Sequence, residues 1–261
     1  MIRSGSELLR AALQAFLKGG GTLVGEAVGV HGVTAGLTGA LVRTPLSEAS
    51  AVGVAIGLAL AGRPVIVELV DAAGLTRAAD VLADLATLDA RSAGTFRAPV
   101  VLLAPHVSAG VPAGITVAVA AVADDLPGLL QHALAAGRPT VIFVSPSALA
   151  DEGTGAAVPA LGASVARSSG PVTVLAAGDG VRSALSCGEA AEVVDLRGHS
   201  ADAAALASAR RTGRVVVVGA PGVALAALNH AFLSLESPLV ELGATATPAE
   251  IASAIHAAAT Y

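Results

Sequence analysis

Aromatic residues make up 2% of the 261 residues, tryptophan is absent, and Cys187 is the single cysteine. A lone cysteine excludes an intrachain disulfide, a thiolate metal cluster and a CxxC redox pair. Charge is also scarce: 13% of residues are charged, the formal net charge is -5, and no basic run occurs. Without a basic face or stacking aromatics, the chain lacks the means of nucleic-acid binders. The longest uncharged stretch, Ala98 to Ala123, is cut by Pro99, Pro105, Gly110, Pro112 and Gly114. Those breakers leave short buried strands and a loop in place of a membrane span. No grouping of His, Cys and carboxylates has metal-ligand spacing. The N-terminal segment places Leu8, Leu9, Ala12, Leu13, Phe16 and Leu17 at helical spacing with Glu7 and Arg10 between them. That is an amphipathic helix, unlike a signal peptide, and a cytoplasmic location is the expectation.

What is abundant is apolar material, at 54% of residues. That exceeds what a free-standing monomer usually carries over so few charges, so part of the surface is expected to be buried against other subunits. Continuous apolar runs alternate with helical patterns: strands near Thr22–Val28, Pro64–Val70, Pro99–Ala104, Ile115–Ala120 and Pro139–Val144, helices near Leu75–Asp89 and Asp125–Ala136, and a short helical region ending at Leu41. Such runs are expected where helices cover both faces of a mostly parallel sheet. The segment Ser145 to Gly170 is rich in small residues and has no period, which reads as a linker. Four more strand candidates follow, beginning at Pro171, Glu192, Arg214 and Pro238. The expected architecture is α/β, with two doubly wound, mostly parallel domains at 1–147 and 171–261 joined by a linker at 148–170.

The chain is organised around RTPLSEASAVGVAIGLALAGRPVIVELVDAAGLTRAAD, Arg43 to Asp80. Glu48 follows a Thr-Pro turn and precedes a run in which Ser50 is the only polar side chain up to Gly62. This run predicts a helix buried nearly all round, inside a layered domain or at a subunit interface, with Ser47 as N-cap and Glu48 in the first turn. Helix capping accounts for such a carboxylate. Its place between a turn and a buried strand-helix unit also makes it a candidate pocket residue.

RTPLSE with its glycine-rich apolar helix, AGRPVIVE, AAD and RSAGTFRAPVVLLAP resembles the beta subunit of thiamine-diphosphate-dependent 2-oxo acid dehydrogenases. LVGEAVG and HGVTAGLTGAL on one side, and EVVDLR and ARRTGRVVVVGAPG on the other, extend the resemblance over nearly the whole chain. It implies a transketolase-like pyrimidine-binding domain followed by a transketolase C-terminal-like domain. It further implies Glu48 as the catalytic carboxyl that hydrogen-bonds the aminopyrimidine of thiamine diphosphate, so that the ring's own exocyclic nitrogen removes the thiazolium proton. Leu46, Val70 and Gly74 are the other positions it places at the cofactor. A dry pocket would raise the carboxyl pKa and strengthen that contact.

The departures matter equally. Gly74 stands where the family stacks an aromatic ring, Leu103 where an arginine is expected, and the loop bearing a His-Ser-Gln sequence has no counterpart. His31 and His106 read as turn and loop residues, Asp71, Arg77 and Asp80 as ion-pairing, capping or catalytic groups, with Asp80 matching an acidic residue of the family, and His199 and Asp202 as interdomain residues. The GDG at Gly178 to Gly180 lacks the paired asparagines of the Mg2+-diphosphate motif, since Asn229 is the only asparagine, and reads as a strand-to-helix turn. Diphosphate and Mg2+ are therefore expected on an alpha-type partner in a heterotetramer, with a lipoyl acyltransferase as a further partner. The expected function is that of the beta-type subunit of a two-component enzyme acting on 2-oxo acids. The alternatives are a non-catalytic beta-like subunit that stabilises its partner and a split transketolase-like carboligase.

Overall fold

The computed structural model describes residues 2–71, 73–105, 111–156, 162–198, 203–219, 239–243 and 245–261. The chain divides into two compact units, Met1–Ala160 and Leu161–Tyr261.

The first unit begins with β1 (Arg3–Ser4) and α1 (Gly5–Lys18). Ser4 starts the helix through a capping box: its hydroxyl accepts from the Glu7 amide while the Glu7 carboxylate accepts from the Ser4 amide. There follow β2 (Thr22–Gly25), a 3-10 turn (Gly32–Thr34), β3 (Ala40–Arg43), α2 (Glu48–Leu60), β4 (Val65–Glu68), α3 (Gly74–Arg77), α4 (Ala79–Arg91), β5 (Val100–Pro105), β6 (Thr116–Ala120), α5 (Asp125–Ala136), β7 (Thr140–Val144), α6 (Pro146–Ala150) and β8 (Glu152–Gly153). Six of the strands form one sheet in the order β3-β2-β4-β5-β7-β6, and every pairing is parallel. The chain moves outward from β2 to β3 and then crosses back to β4. The C-terminal ends of β2 and β4 thus flank a topological switch point, the usual ligand crevice of an open α/β sheet.

Two helical layers cover this sheet: α1 packs with α5 and α6, and α2 packs with α3 and α4. Leu8, Leu13, Leu23, Ile66, Leu102, Leu129, Ile142 and Phe143 are fully buried between the layers. Burial on both faces explains why β5 and β7 read as unbroken apolar runs.

The second unit has β9 (Ser164–Arg167), β10 (Thr173–Ala176), α7 (Asp179–Ser186), β11 (Glu192–Asp195), α8 (Ala203–Thr212), β12 (Val215–Val218), β13 (Val240–Leu242) and α9 (Pro248–Ala259). Its order is β13-β12-β10-β11-β9, parallel except for β9, which runs antiparallel to β11 along one edge. The GDG stretch forms the turn from β10 into α7: Gly178 has φ +55°, and a side chain on Gly180 would meet Val218. Arg167 donates to the carbonyls of Ala184, Leu185, Glu189 and Ala191 and so caps the end of α7. Within 148–170 the structure places the end of α6, β8 and β9, of which β8 pairs with β1.

Several local expectations change. The region before Leu41 is a single 3-10 turn followed by β3, because glycines at 29, 32, 36 and 39 with positive φ prevent a continuous helix. The helix expected over Leu75–Asp89 is interrupted at Ala78. Helix α2 is not buried all round within the chain: Ala51, Val52, Ala55 and Ala59 face the core, while Ser50, Gly53, Val54, Gly57 and Leu60 are exposed. Among the described residues no helix is long and apolar enough to cross a membrane.

Candidate active site

Glu48 is the first residue of α2, at the switch point. Ser47 caps the helix by accepting from the Ser50 amide. The capping function is thus met by Ser47, which leaves the Glu48 carboxyl available for other contacts. Its side chain is 11% exposed. It packs on Gly74, where an added Cβ would lie 3.0 Å from the Glu48 Cγ. A side chain at 74 would crowd the Glu48 side chain, which would have to shift to make room for it. A cleft of about 10 Å3 adjoins Glu48, walled by Glu26, Pro45, Ala51, Glu68, Leu69 and Val70.

The contact that decides the chemistry of Glu48 comes from Arg77, at the end of α3. Its Nη2 donates to the Glu48 Oε1 and to both carboxylate oxygens of Asp71, at 2.9 and 3.0 Å. Asp71 also accepts from the Gly74 amide at 3.0 Å, tying the turn before α3 to the same cluster. The Arg77 hydrogen bond, opposed by burial, holds the Glu48 carboxyl below its ordinary pKa, while its two acceptors push the Arg77 pKa up. The expectation of a dry pocket with a raised carboxyl pKa is thereby corrected at Glu48. A neighbouring cation outweighs burial there, and the carboxylate is held ionised.

A raised carboxyl pKa does occur one strand away. Glu68, the last residue of β4, is driven up mainly by burial, against a smaller lowering by its hydrogen bond from Thr34. Glu68 lines both the small cleft and a larger cavity of about 320 Å3 at the C-terminal ends of β4, β5 and β7.

The other candidates are dispersed. Leu46 and Val70 are 75% and 56% exposed; Val70 lines the Glu48 cleft, and Leu46 lies two residues before Glu48 in the chain. His31 precedes the 3-10 turn and lines the larger cavity, and Leu103 is buried within β5. Asp80 lies exposed in the first turn of α4. His106, His199, Asp202 and Asn229 lie outside the described residues. Among the described residues no cluster of three or more His, Cys, Asp or Glu could hold a metal ion. Sequence reading assigned Arg77 to ion pairing but not to Glu48, and it did not single out Glu68 or Thr34. The 29-residue separation of Arg77 and Glu48 has no local signature.

No protein-family model matches the sequence. The chain is 31% identical over 267 residues to the pyruvate dehydrogenase E1 component subunit beta of Leifsonia xyli, covering 86% of this chain and 79% of that protein. The chain belongs to the beta-subunit family of thiamine-diphosphate-dependent 2-oxo acid enzymes. Among solved structures, this beta-type chain is similar to a split-gene transketolase described as an inactive β4 tetramer, with TM-score 0.76, 19% identity and 98% of each chain covered. It is also similar to the 2-oxoglutarate:ferredoxin oxidoreductase of Magnetococcus marinus, with TM-score 0.68, 11% identity, and coverage of 98% of this chain and 64% of that one. At these identities both likenesses establish the transketolase-like fold of the beta-type subunit.

Proposed function

We propose that this beta-type subunit works as one half of a two-component thiamine-diphosphate-dependent enzyme that decarboxylates 2-oxo acids and passes on the acyl or aldehyde fragment. An alpha-type partner holds the diphosphate and Mg2+. The observation that carries the reading is the position of Glu48: a mostly buried carboxyl at a helix N-terminus, at the switch point, beside the exposed Val70. When bound, the cofactor supplies the nucleophilic carbon that attacks the 2-oxo group. The residues of this chain supply the environment. Glu48 would hold the aminopyrimidine through its carboxyl, Leu46 and Val70 would exclude water, and Gly74 would offer the ring no stacking partner.

The cleft of about 10 Å3 beside Glu48 does not admit a six-membered ring, and Arg77 already occupies the Glu48 Oε1. The catalytic reading therefore requires Arg77 to turn away. It is 46% exposed, ends a four-residue helix, and can swing toward Asp71 alone. The same ion pair favours a second reading, a non-catalytic beta-like subunit that stabilises an alpha-type partner. Assembly is common to both: the exposed face of α2, with Gly53, Val54, Gly57 and Leu60, is a close-approach surface for another subunit of a heterotetramer. A split carboligase would use the same residues with an aldehyde acceptor, and a lipoyl acyltransferase would mark the dehydrogenase instead.

Glu48→Gln in the assembled complex tests the catalytic reading. Folding and assembly should persist, while proton exchange at the reactive carbon of the cofactor should fall by about 10²–10⁴-fold, the range for one lost proton-transfer contact. Unchanged exchange would remove Glu48 from the mechanism.

A further inference from the structure

The larger cavity, of about 320 Å3, is at the lower end of the size range of small-molecule sites. Its walls are apolar: Leu9 and Leu13 from α1, Leu69 just after β4, Leu103 in β5, Val144 at the end of β7 and Leu149 from α6. Among the described residues Glu68 is the one carboxylate on that wall, His31 is the other titratable residue, and no lysine or arginine lines it. An anionic 2-oxo acid would there meet a carboxylate without a counter-cation, which disfavours it as the occupant.

Among the described residues the hydrogen-bond donor to Glu68 is the buried Thr34 hydroxyl, 2.9 Å from Oε2. The same hydroxyl lies 3.1 Å from the His31 carbonyl oxygen and accepts from the Gly29 amide at 3.2 Å. A hydroxyl has one proton to give, so an ionised Glu68 and the His31 carbonyl compete for it. A protonated Glu68 would donate to Thr34 and resolve the conflict, in keeping with the upward pressure that burial puts on its pKa. What the ionised form lacks is a cation on its cavity side.

We propose that this cavity binds a small organic cation, an ammonium or amidinium group on a compact apolar body, with Glu68 as its counter-ion. The apolar walls take the body, and the charge pairs with a carboxylate that otherwise costs free energy to keep ionised. Affinity rises with pH as Glu68 ionises. On its other side lie Glu26 and Glu48, and the charge of Glu48 is balanced by Arg77. Glu68, Leu69 and Val70 also line the Glu48 cleft, so the two sites adjoin.

Calorimetric titration of the full chain with benzylamine and benzamidine, against benzoate and benzyl alcohol, tests this. The two cations should bind saturably and benzoate should not. Affinity for the cations should increase from pH 5 to pH 8, and Glu68→Gln should weaken it by at least about tenfold. Val33→Trp, at the cavity wall, should block binding with Glu68 intact, and Glu48→Gln should leave it unaltered, separating this site from the cofactor cleft. Absence of saturation up to about 10 mM, equal binding of benzoate, or undiminished binding in Glu68→Gln would each overturn the proposal.

Discussion

Arg77 decides what Glu48 can do. It replaces a buried carboxyl that could share a proton with an ionised one held in a salt bridge. Because Arg77 is 46% exposed, water screens the pair, and its contribution to stability is small. Arg77→Met should therefore leave the fold intact, raise the Glu48 pKa and tighten cofactor binding by about two- to fivefold in the complex. The pH dependence has a definite sign. The folded-state pKa of Glu48 lies below its ordinary value, so the pair contributes stability above that ordinary value and loses it as pH falls through the lowered one. Urea unfolding of wild type and Arg77→Met should thus differ at neutral pH and converge in acid. A difference that persists below the Glu48 titration would assign the effect to packing of the Arg77 stem instead.

Helix α2 carries the assembly reading. Nothing lies within 4 Å of a Cβ built on Gly53 or Gly57, and both are exposed. Within the isolated chain these glycines only weaken the helix, so Gly53→Ala and Gly57→Ala should each stabilise it by up to about 1 kcal/mol in urea unfolding. Against a second helix the same glycines permit close approach. Gly57→Glu should leave the isolated chain folded and abolish assembly in light scattering; unchanged assembly would place the interface elsewhere. The sequence made α2 legible as a helix but not its exposed side, because a run uniformly apolar or glycine has no period to mark one face. β5, β7 and α5 were legible for the opposite reason, as continuous apolar runs or a capped periodic segment. Strand β3, ALVR, follows a glycine-rich turn and has one β-branched residue, and β1, β8 and β9 exist only through distant pairing. The position of Glu48 could be read from its Thr-Pro turn and apolar helix, whereas its partner and the burial of Glu68 depend on the packed sheet.

At the scale of the molecule, two α/β units with 13% charged residues and an uncovered apolar helix face describe a chain built for association. Its membership of the beta-subunit family and the lack of a diphosphate motif point to a site completed by another chain. The isolated subunit should scatter light as something other than a 25.1 kDa monomer. A monodisperse monomer indifferent to an alpha-type chain would contradict that expectation. The central claim is that Glu48 forms the beta side of a working thiamine diphosphate site. Calorimetry of thiamine diphosphate with Mg2+ against the assembled complex tests it most directly: binding is predicted for wild type, tightened in Arg77→Met and lost in Glu48→Ala, whereas no binding at millimolar cofactor would contradict it and leave the chain a non-catalytic subunit.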